Sequence, residues 1–338
     1  MQDAAGQGEA PTSAYPSDLT FHDLIRRNRR NSMWLMVGMG ALAAAVAAAI
    51  GAVVMAYGTG VVTWRGIALA IAAGLVVAAL SSTWSFYSGS KTLLSISGAR
   101  PIEKSDDPQL FNVVEEMAIA AGIPVPKVYL IDSEALNAFA TGRDPEHAAV
   151  AITTGLRRKL GRDELAGVIA HEIAHIRHYD IRMTMLVATL VGLIVLAAEV
   201  SWRAVFYGGM AGRGGRRGGG GKGKGGGAAV LILLAVAVFL MIVAPLLAKL
   251  IQFAVSRQRE YLADAGAVEL TRYPKGLADA LRKLGGDSTP LPKANKATAH
   301  MYIVNPILNA KGRQDRSSAF STHPPLAERV ARVEALMR

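Results

Sequence analysis

The chain is predicted to be an α+β integral membrane protein. It reads as mostly helical, with about four apolar helices plus a cytoplasmic domain containing a small β-sheet. Three observations predict this. The chain is 51% apolar and 19% charged, yet four long runs hold almost no charge. Short β-prone stretches alternate with helical ones between the second and third runs. The helical stretch before the third run contains His171-Glu172-Ile173-Ala174-His175, whose two histidines share one helical face.

The apolar runs come first. Residues 33–57, 183–198 and 228–248 hold no charged side chain, and 61–84 holds only Arg65. Each is near or above the length that crosses about 30 Å of hydrocarbon. The third is shorter and ends at Glu199. The first run follows a polar tail and exceeds a signal-peptide core, so it reads as a retained signal anchor. Residues 1–31 form that tail. Its first 18 positions have a disordered composition, and Arg26, Arg27, Arg29 and Arg30 precede the span. The positive-inside rule keeps this end in the cytoplasm. Residues 32–87 then form a two-helix transmembrane hairpin that returns the chain to the same side.

Residues 88–182 read as the first part of the catalytic domain. Asp107-Pro108 marks a helix start, and the helix runs through Phe111, Val114 and Met117 to Gly122. Residues 127–131 and 148–153 are β-prone, and residues 137–142 lie between them. The three are expected to form a small sheet with an exposed edge. Asp163 is expected to cap the helix that carries the histidine pair. Residues 183–254 hold the third and fourth apolar helices, joined by a glycine-rich link at 208–227 with Arg213, Arg216, Arg217, Lys222 and Lys224. If both runs cross, that basic link lies outside the cytoplasm, against the positive-inside rule. Full crossing and a hairpin that stops short therefore both stay open. Residues 255–338 supply the second part of the catalytic domain. It comprises a helix leaving the membrane over 255–271, a second at 274–284, a loop-rich stretch at 287–318 and a last helix at 324–337.

Composition narrows the function. A net charge of +11 invites a nucleic-acid reading, but no aromatic-basic stripe accompanies it. Basic residues beside apolar spans fit anionic lipid headgroups instead, so the lipid bilayer and not nucleic acid is the expected partner. The absence of cysteine excludes disulfides, zinc–thiolate sites and cysteine nucleophiles.

The histidine pair carries the chemistry. His171 and His175 can reach one metal ion, and Glu172 can act as general base on a water activated there. Two imidazoles leave a tetrahedral metal short of a protein ligand. No third histidine follows at the spacing of the longer motif, and a glutamate on a second helix is the other common solution. Glu260 fits that role. Asp264 lies one turn on and shares its face, so it can hydrogen-bond a ligand imidazole and fix its tautomer. His178 reads as structural. Asp180 stays open between an ion pair with Arg177 and support of the site.

These features resemble the HtpX-type membrane zinc endopeptidases, relatives of the prenyl-protein (CAAX) endopeptidases. The resemblance rests on the two N-terminal spans, Asn137-Ala138-Phe139-Ala140, the HExxH, the two later apolar runs, residues 256–264, and Ser321-Thr322-His323-Pro324-Pro325, in that order. It covers nearly the whole chain after the basic tail. It implies a zincin-type catalytic domain with one Zn2+ per chain on His171, His175 and Glu260, and Glu172 as base. It also implies that His323 helps to stabilise the tetrahedral oxyanion, with Arg329 orienting or assisting it. The strand at Asn137, Ala138 and Phe139 is expected to hold substrate by backbone pairing, with the Asn137 amide gripping a substrate carbonyl. The implied activity is cleavage of membrane or misfolded proteins at the cytoplasmic face of a bacterial inner membrane, in quality control and stress response. Two alternatives are a CAAX-type prenyl-peptide endopeptidase and a membrane scaffold with a degenerate metal site.

Overall fold

The computed structural model describes residues 21–58, 61–211, 226–291, 302–304 and 324–336. Two helices open the chain, α1 (Phe21–Gly58) and α2 (Trp64–Ser97). Thr63 starts α2 by accepting the Gly66 N–H at 3.2 Å. Three helices among the described residues are long and apolar enough to cross a membrane, over Val37–Met55, Trp64–Ser97 and Asp180–Val200. The third belongs to α6 (Asp180–Ala211). The fourth apolar run forms the first half of α7 (Gly226–Thr271), which continues unbroken into the polar stretch holding Glu260. Met39 and Val46 of α1, Val187 and Ile194 of α6, and Ala244 and Ala248 of α7 pack together as one apolar cluster. The basic link lies outside the described residues except at 208–211, where α6 extends through Ala211, and at 226–227, where α7 begins.

Between α2 and α6 lies the sheet, with strands β1 (Ala99–Pro101), β2 (Lys127–Ile131), β3 (Ala138–Gly142) and β4 (Ala148–Thr153) in the order β1-β2-β4-β3. The β2–β4 pair is parallel and the other two are antiparallel. β2, β3 and β4 form where the sequence predicts. β1 is an addition, and its Pro101 is tolerated because the strand lies at an edge. Helix α3 (Pro108–Ala121) matches its predicted start and stop. Asp107 accepts the Leu110 N–H at 3.0 Å, and Gly122 closes the helix at φ 66°, in the left-handed region.

A short helix, α4 (Thr154–Lys159), precedes α5 (Arg162–Arg177), which is the centre of the domain. Leu165, Val168, Ile169, Ile173 and Ile176 of α5 are fully buried against Leu110 and Val114 of α3, Val150 and Ile152 of β4, and Leu277 and Leu281 of α8 (Pro274–Gly285). Burial of each such side chain contributes about 1.5–3 kcal/mol. Gly167 lets α8 approach α5 closely, since a Cβ there would stand 2.6 Å from the Leu277 backbone nitrogen. The predicted Asp163 cap is corrected. The cap position is Gly161, whose N–H donates to Glu164 at 2.8 Å, so Asp163 falls inside the first turn. A glycine takes the extended cap conformation readily, and Glu164 supplies the acceptor from within the helix. The last helix, α9 (Leu326–Ala335), returns over α8 and α7 and buries Leu326, Arg329 and Val333.

Candidate active site

Helix α5 sets His171 and His175 one turn apart on a buried face. Their rings lie 4.7 Å apart at 86°, and their Nε2 atoms are separated by 3.2 Å. Helix α7 brings Glu260 across them, with Oε2 at 3.7 Å from His171 Nε2 and Oε1 at 3.5 Å from His175 Nε2. The three residues each present a ligand atom, all within 4.8 Å of one another. A tetrahedral zinc with bonds near 2.0–2.1 Å separates its ligands by about 3.3 Å. The observed spacings of 3.2, 3.5 and 3.7 Å fit that figure. Two imidazoles and a carboxylate are also a donor set that suits zinc.

The outer imidazole nitrogens are occupied. Asp264 Oδ1 lies 3.0 Å from His171 Nδ1, as the helical spacing from Glu260 predicts. Asp180 Oδ2 lies 3.2 Å from His175 Nδ1. The sequence left Asp180 open, and the structure puts it on the site, while Arg177 pairs with Glu269 at 3.5 Å. His178 is buried, and Gly266 of α7 packs against the α5 turn before it, where a Cβ would stand 2.9 Å from the Ala174 Cβ.

Arg329 is fully buried at the centre of the carboxylates. Its Nε and Nη2 reach the two oxygens of Asp264 at 2.8 and 2.6 Å, its Nη1 reaches Glu260 Oε2 at 3.0 Å, and Nη1 also donates to the Ile303 carbonyl at 3.1 Å. One guanidinium thus offsets part of the charge of the Glu260–Asp264 pair. His323, expected as its neighbour, lies outside the described residues.

Electrostatics follow from burial and these partners. Burial pushes the Glu172 carboxyl up to about 7, where a carboxylate can both take and return a proton near neutrality. The Ala140 backbone N–H donates to it, which ties β3 to the base. Burial disfavours a charged His175, yet hydrogen bonds to Asp180 and Glu260 outweigh it and push the imidazole up to about 10. Burial, reinforced by Arg329, holds His171 below its ordinary value. Burial would raise Asp264, but Arg329 and His171 overcome it and keep the carboxyl low.

The expected open strand edge is corrected. Ile303 N–H donates to the Ala138 carbonyl at 2.9 Å. Asn137 Nδ2 donates to the Val304 carbonyl at 2.8 Å, and Asn137 Oδ1 accepts from Val304 N–H at 3.3 Å and Ala138 N–H at 3.1 Å. Phe139 is fully buried, with its ring 5.1 Å from that of Tyr302. The groups expected to grip substrate are engaged by residues 302–304 of the same chain. Backbone buried at a sheet edge must find partners, and this segment supplies them.

Every residue of this constellation falls within 104–337, the stretch that matches the pattern of Peptidase family M48. The chain belongs to peptidase family M48. It is 41% identical over 311 residues to a protein named Protease HtpX homolog from Listeria monocytogenes serotype 4b (strain CLIP80459), covering 92% of this chain and 98% of that one. It is 39% identical over 320 residues to the Protease HtpX homolog of Levilactobacillus brevis, covering 93% and 99%. Among solved structures, the S. mikatae Ste24p crystal structure aligns with a TM-score of 0.48 at 19% identity, over 77% of this chain and 57% of that chain. The M48 chain is thus an HtpX-type metallopeptidase with peptide or protein substrates. Among the described residues three helices have the length and apolar composition of membrane spans, in keeping with an integral membrane protein.

Proposed function

We propose that this M48 peptidase is a zinc endopeptidase of the bacterial inner membrane. It spans the bilayer several times and cleaves membrane or misfolded proteins at the cytoplasmic face, in protein quality control. The observation that carries this reading is the convergence of His171, His175 and Glu260 from two helices, one followed directly by an apolar helix and the other beginning as one. Helix α6 begins at Asp180, five residues past His175, and α7 holds its apolar run and Glu260 in one helix. Such a site lies close to the bilayer surface. Arg26, Arg27, Arg29 and Arg30 support a cytoplasmic N-terminus, and an even pair of spans, α1 and α2, returns the catalytic residues to that side.

His171, His175 and Glu260 would hold the ion. When bound, zinc supplies Lewis acidity that makes water nucleophilic at neutral pH and polarises a peptide carbonyl. Glu172 takes the proton of the attacking water and delivers it to the leaving amine, a role that its carboxyl, pushed up to about 7, is suited to fill. Asp264 orients His171, and Arg329 holds Asp264 and Glu260 in place. His323 would add an oxyanion donor. In this structure Asn137, Ala138 and Phe139 hold residues 302–304 beside the site.

Glu172→Gln tests the assignment in the full chain in detergent. Cleavage of casein should fall by at least two decades with zinc content unchanged. Undiminished cleavage would take the base role from Glu172. A prenylated peptide cleaved in preference to membrane proteins would turn the substrate class toward CAAX-type processing.

A further inference from the structure

Each proposed histidine ligand meets a carboxylate through its outer nitrogen, and the sequence assigned only one of the two, leaving Asp180 open. The second, Asp180, occupies an unusual place. Tyr179 adopts φ 61°, a left-handed conformation uncommon for a residue with a bulky side chain, and it breaks α5 from α6. That turn aims the first residue of α6 back at the last turn of α5. Asp180 Oδ2 meets His175 Nδ1 at 3.2 Å, and Oδ1 faces Arg259 Nε of α7 at 3.4 Å. Asp180 and Arg259 are both buried. Arg259 directly precedes Glu260. One carboxylate therefore joins the helix of the histidine pair, the apolar helix that follows it, and the helix that supplies Glu260.

We propose that Asp180, clamped by Arg259, is a positioning residue that fixes the His175 ring with Nε2 toward the metal and so couples the metal site to the packing of α6 against α7. The proposal rests on the reading of His171, His175 and Glu260 as ligands. A carboxylate on the outer nitrogen sets the tautomer and raises the ligand's basicity, and its loss typically costs 10–100-fold in metal affinity. A mere helix link between Asp180 and Arg259 would have no such effect.

The test uses the purified full chain in detergent. Zinc affinity is measured by competition with a chromophoric chelator, the visible spectrum is recorded with Co2+ in place of zinc, and the melting temperature of the metal-free protein is followed in parallel. Asp180→Ala should weaken zinc by about 10–100-fold and alter the Co2+ bands. Asp180→Asn keeps an acceptor oxygen and should recover part of the affinity. The paired change Asp180→Ala with Arg259→Met removes both members of that ion pair, so it guards against misfolding from a stranded Arg259, and it should bind zinc as weakly as Asp180→Ala. Wild-type affinity and an unchanged Co2+ spectrum in these variants, while Glu260→Ala loses zinc, would overturn the positioning role alone. Zinc held by Glu260→Ala as tightly as by the wild type would remove the ligand set, and this proposal with it.

Discussion

Glu260→Ala is the sharpest perturbation of this M48 site because the residue serves both as proposed ligand and as ion-pair partner. In the metal-free protein it deprives Arg329 Nη1 of a carboxylate at 3.0 Å. Removing one member of a buried pair costs about 3–5 kcal/mol. The lower end applies here, since Arg329 keeps both oxygens of Asp264 at 2.6 and 2.8 Å and the Ile303 carbonyl at 3.1 Å. The larger effect concerns the metal. A ligand at a thousand times its dissociation constant stabilises the folded state by about 4 kcal/mol. Two imidazoles alone would not retain zinc through dialysis. The assay is bound zinc after dialysis, together with thermal unfolding in detergent with and without added zinc. The wild type should hold one equivalent and melt higher with zinc, and the variant should do neither. Glu269→Ala, at an exposed position of the same helix and paired with half-buried Arg177, should behave as wild type. Stoichiometric zinc retained by Glu260→Ala would refute the ligand set and with it the catalytic geometry.

Four further outcomes follow from the contacts described above. His175 is pushed up to about 10, so the metal-free site carries a proton at neutral pH that zinc must displace. Apparent zinc affinity should therefore climb about tenfold per pH unit between 7 and 9, and a flat profile by chelator competition would contradict the reading. The same raised value contributes stability to the metal-free protein that is full below 6.5 and is lost as pH rises through about 10. Arg329→Met strands the Asp264 and Glu260 carboxylates in the interior and should lower metal-free stability by about 3–5 kcal/mol, read from denaturant unfolding. Asn137→Ala leaves the Val304 backbone groups buried without their partner and should cost about 1–3 kcal/mol; an effect confined to KM, with melting unchanged, would restore its substrate role.

Some of this site is written locally. The helical period alone puts His171 beside His175, and Glu260 beside Asp264, because those pairs are four residues apart on single helices. The same holds for the Asp107 cap and the Gly122 stop of α3, whose signals lie within a turn of their effects. Strands β2 and β4 were legible because their β-branched and apolar runs are bounded by turn residues. The start of α5 was misread by two positions because Gly161 and Asp163 both make plausible caps, and Glu164 decides between them.

The remaining features depend on which distant segments meet. Arg329 lies 65 residues from Asp264, and Asn137 lies 167 residues from Val304. No periodicity spans such separations. The sequence read Arg329 as the partner of nearby His323, and Asn137 as a hand for substrate. In the folded chain both also meet polar groups of distant segments, which had to be satisfied once water was excluded. Asp180 is five residues from His175, yet it reaches the ring only because the backbone turns at Tyr179, a conformation that no helical count forecasts. By itself the sequence determined the donor atoms and the helices that carry them, since these follow from short-range geometry. Only the tertiary structure decided how those donors are charged, oriented and braced, since that depends on desolvation and on partners recruited from other helices.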